Sequence, residues 1–246
     1  MHDNLLKSDY NRDNHISFGI STSRDNYSEK KDLEKRKGLD SMSLVGIFLF
    51  PDAVMAFGDS RGTLKDELGN MREEKGRTVQ KVFRCNDIII TTFGCNTIMM
   101  DGRRTFMEDY LNDRIRQGIS LFQIMEDLQK RLAINDEGII YEFIIAGIED
   151  GRTYYRYIVV SKNDVSYKAR QYYGRPWEYV ISGPDAYRLW FNGMIKECGG
   201  NSFISYSPED VKGVIEEKAT EKIMEFENRC HYSPVGLPLQ FEIIKF

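Results

Sequence analysis

Histidine is the scarcest chemistry-bearing residue of this chain. Of three among 246 residues, His2 and His15 lie in a polar leader, and only His231 is left for the folded part. A Ser-His-Asp triad or a multi-histidine metal site would have to be built on that one residue, so a hydrolase of this sequence needs another base. Cysteine is spread as thinly. Cys85, Cys95, Cys198 and Cys230 stand far apart with no C-x-x-C pair, which indicates neither a zinc site nor a disulfide framework. No metal and no cofactor is expected, and free thiols in a reducing compartment point to the cytoplasm. Long apolar runs are missing too. No stretch approaches the roughly 18 residues of a membrane helix, and MHDNLLKSDYNRDN lacks the apolar segment of a secretory signal. A basic excess is also absent. The net charge is −4, and no Lys/Arg run is interleaved with aromatics beyond the first forty residues, so nucleic acid is not an expected partner and neither is a membrane.

What is present suits one core of ordinary size: 41% of the residues are apolar and 29% charged, which favours a single domain with a tail. Residues 1–41 are polar, have no sustained helical or strand period, and contain the block EKKDLEKRK at 29–37. They read as a self-cleaved propeptide, a retained extension, or upstream sequence wrongly included in the reading frame. Met42 directly precedes Ser43, so initiation there followed by methionine removal would expose the Ser43 amine.

The stretch at 43–61, SLVGIFLFPDAVMAFGDSR, organises the rest. An apolar run too short for a helix is broken by Pro51-Asp52 and then resumes, which is the pattern of two paired strands buried on both faces. A hairpin about Pro51-Asp52 places Ser43 beside Gly58-Asp59, a small hydroxyl residue next to a carboxylate at one end of a buried sheet.

That stretch resembles the start of the mature catalytic β subunits of the proteasome and of its bacterial relatives, the heat-shock proteasome-like peptidase and the ancestral β-subunit family. All are N-terminal nucleophile hydrolases. Ser43 and Asp59 stand at the family's separation without a gap. After Arg61 comes GTLKDELGNMREEKGRT at 62–78, read as a charged, glycine-punctuated loop longer than the family's segment. VQKVFRCNDIIITTFG follows as strand, turn and strand, and its likeness to the family implies the catalytic lysine at Lys81 and oxyanion-hole backbone at Gly94-Cys95. Residues 96–118, with an Asn cap and Ile98, Met99, Phe106, Tyr110, Leu111 and Ile115 in rough helical period, are expected as one helix. Residues 120–132, opened by a serine, are expected as a second. Strands return at 139–148, 154–160 and 165–171, the first two joined by a turn at Glu149-Asp150-Gly151-Arg152. YVISGPDAYRLWF puts Ser182-Gly183 at a helix start with Pro184 in its first turn, and Ser207 caps a helix over 208–228. HYSPVGLPLQFEIIKF closes the chain with a turn and a strand and is similar to the family's S-V-G-x-P ending, which implies Ser233 as its second serine.

The resemblance spans 43–246 and implies an α+β fold, the four-layer αββα sandwich of N-terminal nucleophile hydrolases. It implies an acyl-enzyme on Ser43 with the α-amine as base, Lys81 lowering the amine pKa, Asp59 holding the lysine, and Ser182 and Ser233 supporting the proton network. Arg61 is a structural partner that fixes the turn after Asp59. Peptides or unfolded proteins would be the substrates, a homo-oligomeric ring the assembly, and an ATP-dependent unfoldase a partner. A non-catalytic ring subunit, with the leader still attached, and a small-amide hydrolase of the same superfamily are the alternatives. Taken singly, each residue is ordinary: Asp59 a turn aspartate, Lys81 a solvated strand lysine, Ser182 a helix cap, Ser233 a turn serine. Their order and spacing carry the reading. One departure bears on proton handling, because Cys230 stands where the family usually has a carboxylate. A Cys230-His231 nucleophile pair is disfavoured, since neighbours on an extended chain point to opposite faces.

Overall fold

Two uninterrupted apolar segments, VGIFL and AVMAFG, form β1 (Val45–Leu49) and β2 (Ala53–Gly58), and every residue in them is buried. The turn at Pro51-Asp52 is exposed, and Phe50 N–H donates to Ala53 O across it (2.8 Å). The computed structural model describes residues 43–65, 71–135, 140–161, 172–173, 178–231 and 233–245. The chain divides between Leu39 and Asp40, and all described residues belong to the second unit, Asp40–Phe246. The leader at 1–41 and the strand expected at 165–171 lie outside the described residues.

After β2 come β3 (Arg61–Lys65), β4 (Met71–Thr78), β5 (Val82–Cys85), β6 (Ile88–Gly94), β7 (Thr97–Met100) and β8 (Arg103–Phe106). Helices α1 (Met107–Arg116) and α2 (Leu121–Asn135) follow, then β9 (Ile140–Glu149), β10 (Arg152–Ser161), β11 (Tyr172–Tyr173) and β12 (Glu178–Ser182). Helices α3 (Asp185–Glu197) and α4 (Pro208–Cys230) precede the last described strand, β13 (Gln240–Lys245). The protein is thus a mixed helix and sheet structure of the α+β class. One antiparallel sheet has the order β12-β1-β2-β13 and a second β11-β10-β9-β6-β5.

Three apolar clusters hold these elements. Leu44, Phe48 and Phe57 from the first sheet pack with Tyr187 and Phe191 of α3 and Ile215 of α4. Phe83, Ile90 and Phe143 from the second pack with Tyr110 of α1 and Ile124 and Leu128 of α2. Ile47, Val54 and Ala56 meet Ile89, Phe93 and Ile144 between the two sheets. Phe57 stacks on Phe191 at 5.3 Å between ring centroids, and truncating such a buried ring to alanine costs about 3–5 kcal/mol. No helix among the described residues is long and apolar enough to cross a membrane.

Four local expectations are corrected. Within the charged segment at 62–78, β3 pairs antiparallel with β4, with a register shift after Arg61. Its pairing rests on backbone bonds, and its sequence has no apolar alternation to betray it. The helix expected over 96–118 starts only at Met107, because β7 and β8 form a hairpin first. Asp101-Gly102 turns it with φ of 50° and 75°, the positive pair that a two-residue hairpin turn requires. Ser182 ends a strand instead of opening a helix, and Pro184 is the N-cap of α3. Cys230 ends α4 and His231 follows in the left-handed region, so these two are not on an extended chain. The other helix starts are as expected. Ser120 and Gln123 form a reciprocal capping box ahead of α2, and Ser207 Oγ accepts from Asp210 N–H (3.2 Å) at α4.

Candidate active site

The β1–β2 register sets Val45 opposite Gly58, and the next rung pairs Asp59 N–H with Leu44 O (2.9 Å). Asp59 therefore lies one residue from Ser43 across the hairpin. β12 lies on the other side of β1 with Ser182 opposite Val45, and β13 adds Gln240 opposite Gly58. One end of this sheet thus collects Ser43, Asp59, Ser182 and Gln240.

Asp59 is wholly buried and all four acceptor positions of its carboxylate are used. Oδ1 accepts from Leu44 N–H (2.8 Å) and Lys81 Nζ (2.7 Å), and Oδ2 from Arg61 N–H (3.0 Å) and Gly236 N–H (3.1 Å). Three of the donors are backbone groups, so the carboxylate is fixed by the fold itself and presented to the lysine. Lys81 is 3% exposed. Burial pushes its ammonium below the ordinary lysine pKa, the Asp59 charge and hydrogen bond counter that, and the Arg61 charge adds to the lowering. A buried ion pair is a poor source of stability, because desolvation offsets the attraction. One at a sheet end beside a small hydroxyl residue makes this place the candidate functional site.

Lys81 O accepts from Thr92 N–H (2.9 Å). Gly94 closes the same strand two residues later with φ of 86°, so Gly94 and Cys95 sit at the Lys81 end of the second sheet. The Cys95 thiol donates to Thr97 O (3.3 Å). Ser43 is buried, and Gly183 lies close against it: a Cβ there would stand 3.0 Å from Ser43 O. Ser182 is half-buried at the end of β12.

Ser233 is placed one step further away. It is wholly buried, its hydroxyl donates to Val235 O (2.6 Å) and accepts from Val235 N–H (3.2 Å), and it is 2.7 Å from Tyr187 OH. Burial pushes the Tyr187 phenol up to about 12. Ser233 thereby shapes the turn that delivers Gly236 N–H to Asp59. Arg61 ties this turn down: its guanidinium donates to Ser233 O and to Glu227 of α4. A side chain at Gly236 would collide with Arg61, its Cβ falling 2.6 Å from Arg61 Cβ. Cys230 and His231 are both exposed at the end of α4.

Glu227, Gly236, Tyr187 and Gln240 belong to this site and were not singled out from sequence. Gly236 had a signal, since the S-P-V-G turn contains it. Glu227 had one too, lying three residues before Cys230, close to its face of the helix. No family model matches the sequence, and a search of curated proteins returns no match.

Proposed function

We propose that this chain is a proteasome-like N-terminal nucleophile peptidase, built on the four-layer αββα sandwich and hydrolysing peptide bonds through an acyl-enzyme on Ser43. The observation that carries the reading is the buried Asp59 carboxylate, held by Lys81 Nζ and by the amide next to Ser43. The three apolar clusters, one between the sheets and one under each helix pair, support the layering.

A serine hydroxyl needs a base within hydrogen-bond reach. An α-amine, with a reference pKa of about 7.7–8.0, is partly neutral at physiological pH and accepts the hydroxyl proton. The Lys81 charge lowers that pKa by like-charge repulsion, and Asp59 keeps the lysine in place. Ser43 Oγ attacks the scissile carbonyl, and the oxyanion is received by backbone N–H groups at Gly94-Cys95, a contribution of about 3–4 kcal/mol per donor in comparable sites. The amine returns its proton to the leaving group, and water then cleaves the ester by the reverse route. Ser182 supports the amine and Ser233 the turn behind Asp59.

The α-amine exists only when the bond before Ser43 is absent. With residues 1–42 attached, the same chain is a non-catalytic ring subunit, and the sequence carries those residues. Hydrolysis of fluorogenic peptide amides decides between the two. A preparation with a free Ser43 amine is expected to turn over, and its Ser43→Ala variant is not. An inert preparation with a demonstrated Ser43 amine contradicts the peptidase, and turnover of small amides alone points to an amidohydrolase.

A further inference from the structure

The segment joining β4 to β5 carries Lys81; main-chain bonds hold it at Val79 N–H, which donates to Ser60 O (2.8 Å), and at Lys81 O, which accepts from Thr92 N–H (2.9 Å), and side chains hold the rest. Gln240, the first residue of β13, accepts at Oε1 from the N–H groups of Lys81 (2.7 Å) and Val82 (3.3 Å) and donates from Nε2 to Val79 O (2.7 Å). One primary amide thus supplies bonds that a neighbouring strand would otherwise make. From the other side, Glu108 of α1 accepts from Gln80 N–H, and Asn112 Nδ2 donates to Gln80 Oε1 (2.9 Å).

The backbone of Gln240 has a different partner. It lies in register with Gly58, the residue before Asp59. The two sheets approach closely there, since a Cβ on Gly58 would fall 3.0 Å from Val82 Cγ2 and 3.4 Å from Lys81 Cβ. Gln240 therefore reaches the Asp59 strand with its main chain and the Lys81 segment with its side chain. These are the two halves of the buried ion pair.

We propose that Gln240 is a positioning residue that sets Lys81 Nζ against Asp59 by clamping the Lys81 backbone to the strand that carries the carboxylate. An ammonium on a flexible four-carbon stem is only as well placed as its backbone anchor. A misplacement of about 1 Å in such a site costs about 100-fold in rate. Asp59 and Arg61 are the charged groups acting on Lys81, and both are anchored independently of Gln240. The catalytic half of this inference rests on the peptidase reading, and the geometric half does not.

The test compares the full wild-type chain with three variants. Gln240→Leu keeps the bulk and removes all three bonds. Gln240→Asn stays polar and is one methylene too short, so it reports even where the leucine variant fails to fold. Gln240→Glu keeps the acceptor for both amides, loses the bond to Val79 O unless its carboxyl is protonated, and serves as the rescue of the two Lys81-side bonds. Crystal structures are expected to show Lys81 Nζ displaced from Asp59 by about 1 Å in the first two variants and in place in the third. On a peptide amide, kcat is expected to fall about 100-fold in Gln240→Asn at nearly constant KM, with most of the loss recovered in Gln240→Glu. An ion pair unmoved in both Gln240→Leu and Gln240→Asn overturns the inference, whether or not the wild type is active. A displaced pair with undiminished kcat overturns the catalytic half. A wild type inert with its Ser43 amine free counts against the peptidase reading, and the displacement alone then decides the role of Gln240.

Discussion

Asp59 and Asp127 each gather cations, under opposite conditions. Asp59 is buried with Lys81, their side chains 0% and 4% exposed. Asp127, on α2, is 32% exposed and takes Arg131 Nε (3.0 Å), Arg114 Nη2 (3.2 Å) and Tyr110 OH (2.8 Å). Arg114 also lies over the Tyr110 ring, 5.3 Å from its centroid, so this cluster ties α1 to α2. Burial pushes the Asp127 carboxyl up, but the hydrogen bonds from Arg131 and Tyr110 and the nearby arginine charges outweigh it and hold the pKa below the ordinary aspartate value. Arginines 21% and 22% exposed that never lose their charge make an inexpensive clamp between helices. Removing a lysine and a carboxylate from water costs several kcal/mol per ion, and only full hydrogen bonding makes that tolerable. Asp59 has that bonding, two donors on each oxygen, whereas the three donors to Asp127 all meet Oδ2. On the proposed peptidase function, the difference separates a site arranged for chemistry from one arranged for support.

The largest effects should fall on the buried pair. Lys81→Met is expected to abolish peptide hydrolysis, by about 10⁴-fold or more, and to destabilise the fold by about 3–5 kcal/mol, because Asp59 is left as an unpaired buried charge. Denaturant unfolding reads the second effect, and a variant as stable as the wild type would break the comparison. Exchange of the cation types sharpens it. Lys81→Arg keeps the charge but puts a wider, planar group at a buried position, and kcat should drop about 100-fold. Arg131→Lys should change stability by no more than about 0.5 kcal/mol and leave kcat alone.

The smallest effect is pH-dependent. Asp127→Asn should cost about 1 kcal/mol at pH 7 with unaltered hydrolysis. The Asp127 pKa is lowered in the folded state, so its contribution is complete above the unfolded value of about 3.9 and is lost as the pH falls through the folded value below that. Thermal unfolding of wild type and variant should therefore converge in acid. A gap that persists at pH 2 would show that the loss is one of packing.

The β1–β2 hairpin was legible because burial on both faces leaves an unbroken apolar run, and register counting alone then brings Asp59 next to Ser43. Lys81 was reached through family resemblance, and no local pattern predicts its contact with Asp59, which crosses from one sheet to the other. Gln240 and Tyr187 act through partners distant in sequence, and their polar groups look like those of any surface residue until the chain is folded. In the β7–β8 hairpin a competing period hides the turn. Asp101-Gly102 is a strong turn signal, but Ile98, Met99 and Phe106 fit a helical period well enough to mask it. In β3 and β4 there was nothing to read, because charged residues and glycine occupy most of both strands.

The central claim is that Ser43 supplies both nucleophile and base, and the intact mass and N-terminal sequence of the protein purified untagged from its native cells test it most directly. The predicted result is a chain that begins at Ser43. A chain that still carries residues ahead of Ser43 would contradict it, since the buried Asp59–Lys81 pair would then sit beside an amide that accepts no proton.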